Sequence, residues 1–235
     1  MAEAKSTPRL TLAIGVVERW RIAIGAFILL PLSLLSLQIL HDKRVFVWEE
    51  NFLVWLQKSL PTPLGHTLSF IFHIGNTESA AIVVIVTLAI LAWKRRWREA
   101  GLMAIATAGV LALVDLMLKP FFSRDRPPFY DDVTIPAAGD SFPSGHATGN
   151  LVLYLLLAFF FSERFPKFTR YFYSAAIGFV LMVGLGSIYL GIHWPTDVMA
   201  GYGFGYLWQT ICLLSYKLTA PKADLDLAAN RVSEM

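Results

Sequence analysis

Charge is what this chain has least of. Lysine, arginine, aspartate and glutamate make up 16% of its 235 residues, against about 25% in an ordinary soluble domain. Mean hydropathy is +0.56, and 56% of the residues are hydrophobic. Polar faces are missing too. The apolar runs are uninterrupted and each approaches the roughly 20 residues needed to cross a bilayer, which argues against a soluble bundle with one wet face per helix. Cysteine is all but absent, and a lone Cys212 excludes an internal disulfide. The chain has no HExxH, no acidic cluster and no cysteine pair to hold an ion, so neither a metal site nor a cofactor is expected. No small-residue cleavage site follows the first long run, so a removable signal peptide is not expected either.

What remains is a polytopic membrane protein of all-α class. Six transmembrane spans are expected, at about residues 22–40, 78–93, 99–118, 147–163, 171–191 and 196–216. The segment between the first two is polar and broken by Pro61 and Pro63. Within it Trp48, Phe52, Leu53 and Leu56 recur at helical spacing, which suits a helix lying in the membrane interface. The expected organisation is a lead-in over residues 1–20, a six-span domain over 21–218 and a polar tail over 219–235. Lys5, Arg9, Arg19 and Arg21 precede the first span, and Lys94 to Arg98 join the second and third. Arg164, Lys167 and Arg170 separate the fourth and fifth, and Lys217 and Lys222 follow the last. On a six-span path all of these fall on one side, so both termini are expected in the cytoplasm. The loop from Lys119 to His146 and the turn at His193 then face outward.

Three polar clusters meet on that outward face. In "KPFFSRDRP", Lys119 and Arg126 stand before Pro127. Taken alone this is an ordinary basic juxtamembrane loop. Asp115, four residues before Lys119, is spaced to pair with it along a helix, a contact that either holds the lysine in place or is all the lysine does. In "FPSGH", Pro143 disfavours helix before it and Ser144 is a good N-cap. The free amides at Gly145 and beyond make an anion site, with His146 beside it to move protons. The same residues also read as a capped helix with an incidental histidine. In "YLGIHWPTD", Asp197 lies four residues beyond His193 and is placed to fix its tautomer, leaving the other ring nitrogen free to attack. Its bland counterpart is an interfacial histidine beside a membrane-belt tryptophan. Together the clusters supply two cations, a helix start that binds anions, one histidine for protons and one oriented by a carboxylate. That is the inventory for phosphoryl transfer through a phosphohistidine.

With "KPFFSRDRP", "PSGH" and "HWPTD" in this order, the sequence resembles the type-2 phosphatidic acid phosphatase superfamily, and within it the bacterial phosphatidylglycerophosphate phosphatase B-like enzymes. The resemblance covers about residues 50 to 215. It implies a helical core shared with the haloperoxidases, sited in a bacterial-type cell membrane with the active site on the extracytoplasmic side. It further implies His193 as nucleophile, Asp197 as its orienting carboxylate and His146 as general acid. Lys119, Arg126, Ser144 and Gly145 are then the phosphate cradle. The implied partners are the bilayer and a lipid phosphate substrate, either a phospholipid or an isoprenyl (di)phosphate such as undecaprenyl diphosphate, and not a nucleic acid.

One motif departs from the family pattern. A serine–arginine pair normally opens the third motif, and here the positions read Gly186 and Ser187. Losing one charge-assisted phosphate contact costs roughly 3 kcal/mol, or about a hundredfold in rate, by analogy with a lost oxyanion donor. Arg124 is the expected compensating cation. A lipid phosphotransferase using the same site, and a catalytically impaired lipid-binding or transport protein, stand as alternatives to the phosphatase.

Overall fold

The computed structural model describes residues 15–42, 46–128 and 139–219. The expected tail lies outside these residues apart from Thr219. So does most of the expected lead-in, whose last residues already belong to the first helix. Among the described residues there is no strand. The helices are α1 (Val16–Asp42), α2 (Val47–Ser59), α3 (Thr62–Ile74), α4 (Thr77–Trp93), α5 (Trp97–Phe122), α6 (Gly145–Arg164), α7 (Thr169–Tyr189) and α8 (Pro195–Leu218).

Helix α1 shows what kind of solvent this fold expects. Only Glu18, Gly25, Leu32 and Ile39 are buried, a single seam against the rest of the protein. Phe27, Leu30 and Leu37 on its other faces are 81%, 67% and 62% exposed. Water does not tolerate apolar surface on that scale, and hydrocarbon does. The chain is an integral membrane protein. Lys217 near the end of α8 donates to Glu18 near the start of α1, so the first and last helices meet at one end of the bundle.

Four helical segments are long and apolar enough to cross a membrane: Val16–Asp42, Trp97–Phe122, Gly145–Arg164 and Pro166–Tyr189. The count rises to five if α3 and α4, bent by 46° at their junction, form one broken span. Length and composition therefore support four or five of the six expected spans. The expected span at 78–93 is α4, whose 17 residues reach only about 26 Å at 1.5 Å per residue, short of a hydrocarbon core of about 30 Å. Its partner α3 lies in the stretch expected to stay outside the membrane. The prolines do not break that helix, because Pro63 falls in its first turn, where no amide partner is lost. The expected sixth span is α8, which is 24 residues long. It packs most of its length against the bundle and carries buried Thr196, Asp197, Gln209 and Thr210, while Met199 and Ile211 stay exposed. Helix α2 turns Glu49, Leu53 and Leu56 inward while Trp48 and Trp55 stay exposed.

The core sits between α6 and its neighbours α5, α7 and α8, where Met103, Ala106, Val152 and Leu156 are fully buried. Close approach of α6 and α8 depends on glycine. A Cβ at Gly201 would lie 2.7 Å from the Ser144 carbonyl, and one at Gly205 would lie 3.2 Å from that of Thr148. Thr148 seals the crossing by donating to the Ser144 and Gly201 carbonyls at 2.8 and 3.1 Å. The start of α6 is thereby fixed against the start of α8, which brings two of the polar clusters together.

Candidate active site

The first wall of the site is the start of α6. Ser144 is its N-cap, and the hydroxyl accepts the Ala147 amide at 3.2 Å. Helix geometry leaves the next amides, at Gly145 and His146, without intrahelical partners. The end of α5 lies alongside. Its residues Leu111–Leu118 are wound as a π-helix, after which Lys119 bonds Asp115 at 2.6 Å. The lysine Nζ would be 3.6 Å from a Cβ placed on Gly145, so glycine keeps open the space beside a cation and a helix start.

The second wall is the turn from α7 into α8. Gly191, with φ of 68°, takes the left-handed conformation that ends α7. The chain folds back so that Ile192 and His193 both donate to the Ser187 carbonyl, at 2.9 and 3.3 Å. His193 is thereby buried beside His146, with ring centroids 5.7 Å apart. Phe72 of α3 packs on the other side of His146 at 4.8 Å. The Asp197 carboxylate lies 3.7 Å from His193 Nδ1, close enough for electrostatic attraction but longer than a hydrogen bond. Burial lowers His193 from its ordinary value of 6.5. Asp197 opposes that shift, and Arg126 and Lys119 reinforce it. The ring is therefore neutral near pH 7, the state a nitrogen nucleophile requires.

Arg126 stitches the walls together through backbone carbonyls, donating to Ile192 at 2.9 Å, Gly139 at 3.0 Å and Asp140 at 3.3 Å. Arg124 does not join this cradle. Its guanidinium is fully buried and donates to Asp197 Oδ1 at 2.5 Å, Thr196 Oγ1 at 2.8 Å and Glu49 Oε2 at 2.7 Å. The expectation that it replaces the missing phosphate contact is corrected accordingly, since two carboxylates and a hydroxyl already hold it. Three polar residues of this surround were not marked by the sequence reading. Ser141 donates to Asp197 Oδ2. Thr196 donates its hydroxyl and its amide to Glu49 Oε1 at 2.5 and 3.1 Å. Glu49, the third, also accepts the Phe46 amide at 3.0 Å. Its one sequence signal was a carboxylate in a helix's first turn, which capping explains by itself.

The departure at Gly186 and Ser187 has a packing basis. A Cβ at Gly186 would meet the Leu68 carbonyl of α3 at 2.7 Å, so glycine lets α3 press against α7. Ser187 is buried and donates back to the Gly184 carbonyl at 2.7 Å. Between α3 and the end of α7 opens a cavity of about 410 Å³, lined in part by His66, Ser69, His73, Tyr189 and Leu190. None of His146, His193 and Lys119 lines it.

Taken together, fold and site define a class: an integral membrane helical bundle in which two imidazoles, a lysine ammonium and the glycine that starts a helix lie side by side. The chain belongs to the PAP2 superfamily, whose sequence model matches residues 99–219, over half of its length. It is 28% identical over 148 residues to the phosphatidylglycerophosphatase B of Bacillus subtilis, covering 61% of this chain and 71% of that protein. A lipid A 1-phosphatase of Rhizobium etli is 30% identical over 126 residues, covering 49% of this chain and half of the Rhizobium protein. The crystal structure of the transmembrane PAP2-type phosphatidylglycerolphosphate phosphatase from Bacillus subtilis superposes with a TM-score of 0.71. It shares 21% sequence identity and covers 84% of this chain and 98% of that one, and so establishes the fold.

Proposed function

We propose that this protein is a lipid phosphatase that hydrolyses the terminal phosphate of a membrane lipid through a phosphohistidine on His193. The observation that carries this reading is the 5.7 Å approach of the His146 and His193 rings at a helix start that also holds the Lys119 ammonium. The phosphate sits in the cradle of Lys119, Arg126, Ser144 and the Gly145 amide, which is complementary to charge growing on the equatorial oxygens. The neutral His193 Nε2 attacks phosphorus while the bond to the lipid oxygen breaks. His146 gives its proton to that departing oxygen, so the lipid leaves as an alcohol. Water then attacks the phosphohistidine, His146 takes the water's proton, the N–P bond breaks and inorganic phosphate departs. Asp197 holds the Nδ1 side of His193 throughout and attracts the positive charge that its ring acquires.

A membrane lipid suits the site because its tail stays in hydrocarbon while the headgroup reaches the cations. The names of the two relatives support a lipid phosphate as substrate. The lysine and arginine distribution supports an extracytoplasmic site with cytoplasmic termini. The Glu18–Lys217 contact agrees with both ends of the 21–218 phosphatase domain lying at one membrane face. The test is phosphate release from a panel of phosphatidylglycerophosphate, phosphatidic acid and undecaprenyl diphosphate in detergent with chelator present. The wild type releases inorganic phosphate from at least one of them, and His193→Ala releases none above background. Equal release by the variant removes His193 from the chemistry. A phosphorylated acceptor lipid in place of free phosphate makes the enzyme a transferase.

A further inference from the structure

Behind the histidine that faces substrate lies a charge cluster that the phosphatase reading does not use. Glu49 of α2, Arg124 of the segment after α5 and Asp197 of α8 have fully buried side chains, and the guanidinium bridges the two carboxylates at 2.7 and 2.5 Å. Asp197 is saturated on both oxygens. Arg124 binds Oδ1, while Ser141 and the Trp194 amide, the latter at 2.8 Å, bind Oδ2. Glu49 is also fully engaged, by Arg124, Phe46 and Thr196. Two carboxylates and one guanidinium sum to a single excess negative charge, buried 3.7 Å from His193 Nδ1 at its nearest point.

We infer that Glu49 and Arg124 are positioning residues for His193. Glu49 fixes Arg124, Arg124 fixes Asp197, and the excess negative charge of the cluster favours the cationic ring formed when His193 carries the phosphoryl group. The inference rests on the phosphohistidine reading and adds to it a residue from α2, a helix outside the matched family region of 99–219. Burying an ion cluster is costly unless every lone pair and proton is met. Within the cluster only Arg124 Nε lacks a partner, and His193 Nδ1, 3.7 Å from the Asp197 carboxylate, is likewise without a hydrogen bond. The unpartnered Nδ1 thus faces a carboxylate that is held still from behind.

The remaining charged groups around His193 are accounted for. Lys119 and Arg126 oppose a positive ring, Asp197 favours it, and His146 stands opposite. Removing the Glu49 charge therefore disfavours the protonated ring. The sign follows: His193 must be neutral to attack, so the acid limb of kcat/KM, already below the ordinary 6.5 through burial, moves to lower pH in Glu49→Gln. A unit charge about 10 Å away at an effective dielectric of about 20 corresponds to about one pH unit, so a shift on the order of one unit is expected. In Glu49→Gln, kcat falls about tenfold to a hundredfold with KM within about twofold, by analogy with groups that orient a metal-bound histidine from behind. Glu49→Asp keeps the charge, so its acid limb stays at the wild-type pH and part of kcat is recovered.

The experiment measures phosphate release against pH for wild type, Glu49→Gln, Glu49→Asp and His193→Ala, all as detergent-solubilised full chains that elute as single species. A shifted limb in Glu49→Gln alone supports the inference. An unmoved limb in Glu49→Gln overturns it, whether kcat is retained or lost equally in both Glu49 variants, because a purely structural residue behaves that way. If His193→Ala keeps its activity, the phosphohistidine reading fails first, and the two failures are distinguishable.

Discussion

Two helices begin at this site, and they treat their free amides in opposite ways. At the start of α6 the cap is a neutral serine hydroxyl, the next residue is glycine, and a lysine ammonium stands nearby. At the start of α8 the protein's own carboxylates fill the same role. Asp197 takes the Trp194 amide and Glu49 takes the Thr196 amide. A helix start carries a partial positive charge that an anion stabilises. In α8 that anion is built in, and in α6 the proposed function leaves the place for the substrate phosphate. In the proposed function, the difference separates a surface that binds the phosphate from one that holds the nucleophile still.

The sealed start is where a single change has the largest expected effect. Asp197→Asn presents an amide where Arg124, Ser141 and the Trp194 amide all donate, so at least one buried donor is left facing another. Removing one partner from a buried ion pair costs about 3–5 kcal/mol, and the melting temperature falls measurably. Activity falls by about four orders of magnitude, by analogy with other carboxylates that set a histidine tautomer. Thermal unfolding and phosphate release on the same preparation check both. A variant with normal kcat shows that the sealed start is structural only.

His146 belongs to the open start, and its loss is expected to be milder and conditional. His146→Ala loses about a hundredfold to ten-thousandfold on a lipid phosphate, the usual range for general acid–base catalysis. On an aryl phosphate, whose leaving group needs little protonation, much of that loss disappears. An equal loss on both substrates assigns His146 to binding rather than to proton transfer.

The contrast also explains what the sequence reading reached and what it missed. Helix starts are local, so "PSGH" and "HWPTD" carried Ser144, Gly145, His146, His193 and Asp197 within a few residues each. Composition was enough to mark a membrane bundle. The stretch between the first two expected spans was less legible, because a proline in a helix's first turn, as at Pro63, looks like a break. Arg126 was expected in the phosphate cradle and Arg124, two positions before it, as a compensating cation, and local sequence does not show the reach of either. Ser123, in the left-handed region with φ of 47°, ends α5 just before them, and the non-helical chain that follows sends the two side chains to different partners. One faces Glu49 across 75 residues of sequence, and the other faces Ile192 across 66. No local pattern encodes either contact, since both arise only when α2 and α8 pack against that segment.

The smallest expected effect tests the open start most directly. Gly145→Ala adds a methyl group 3.6 Å from Lys119 Nζ, 3.8 Å from Val114 Cγ1 and 3.9 Å from Asp115 Oδ1. These are ordinary van der Waals contacts, and alanine suits a helix at least as well as glycine, so folding is spared and the melting temperature holds or rises slightly. An anion at the same spot loses its approach to the amide and the ammonium together. Competitive inhibition by inorganic phosphate should weaken about tenfold, equivalent to about 1.4 kcal/mol, with a matching rise in KM and a smaller change in kcat. The same substitution at Gly201 is not an equivalent control, because there the new atom meets the Ser144 carbonyl at 2.7 Å and the helices must part. If phosphate inhibits Gly145→Ala as well as it inhibits the wild type, the anion does not sit at the start of α6, and the two helix starts no longer differ in function.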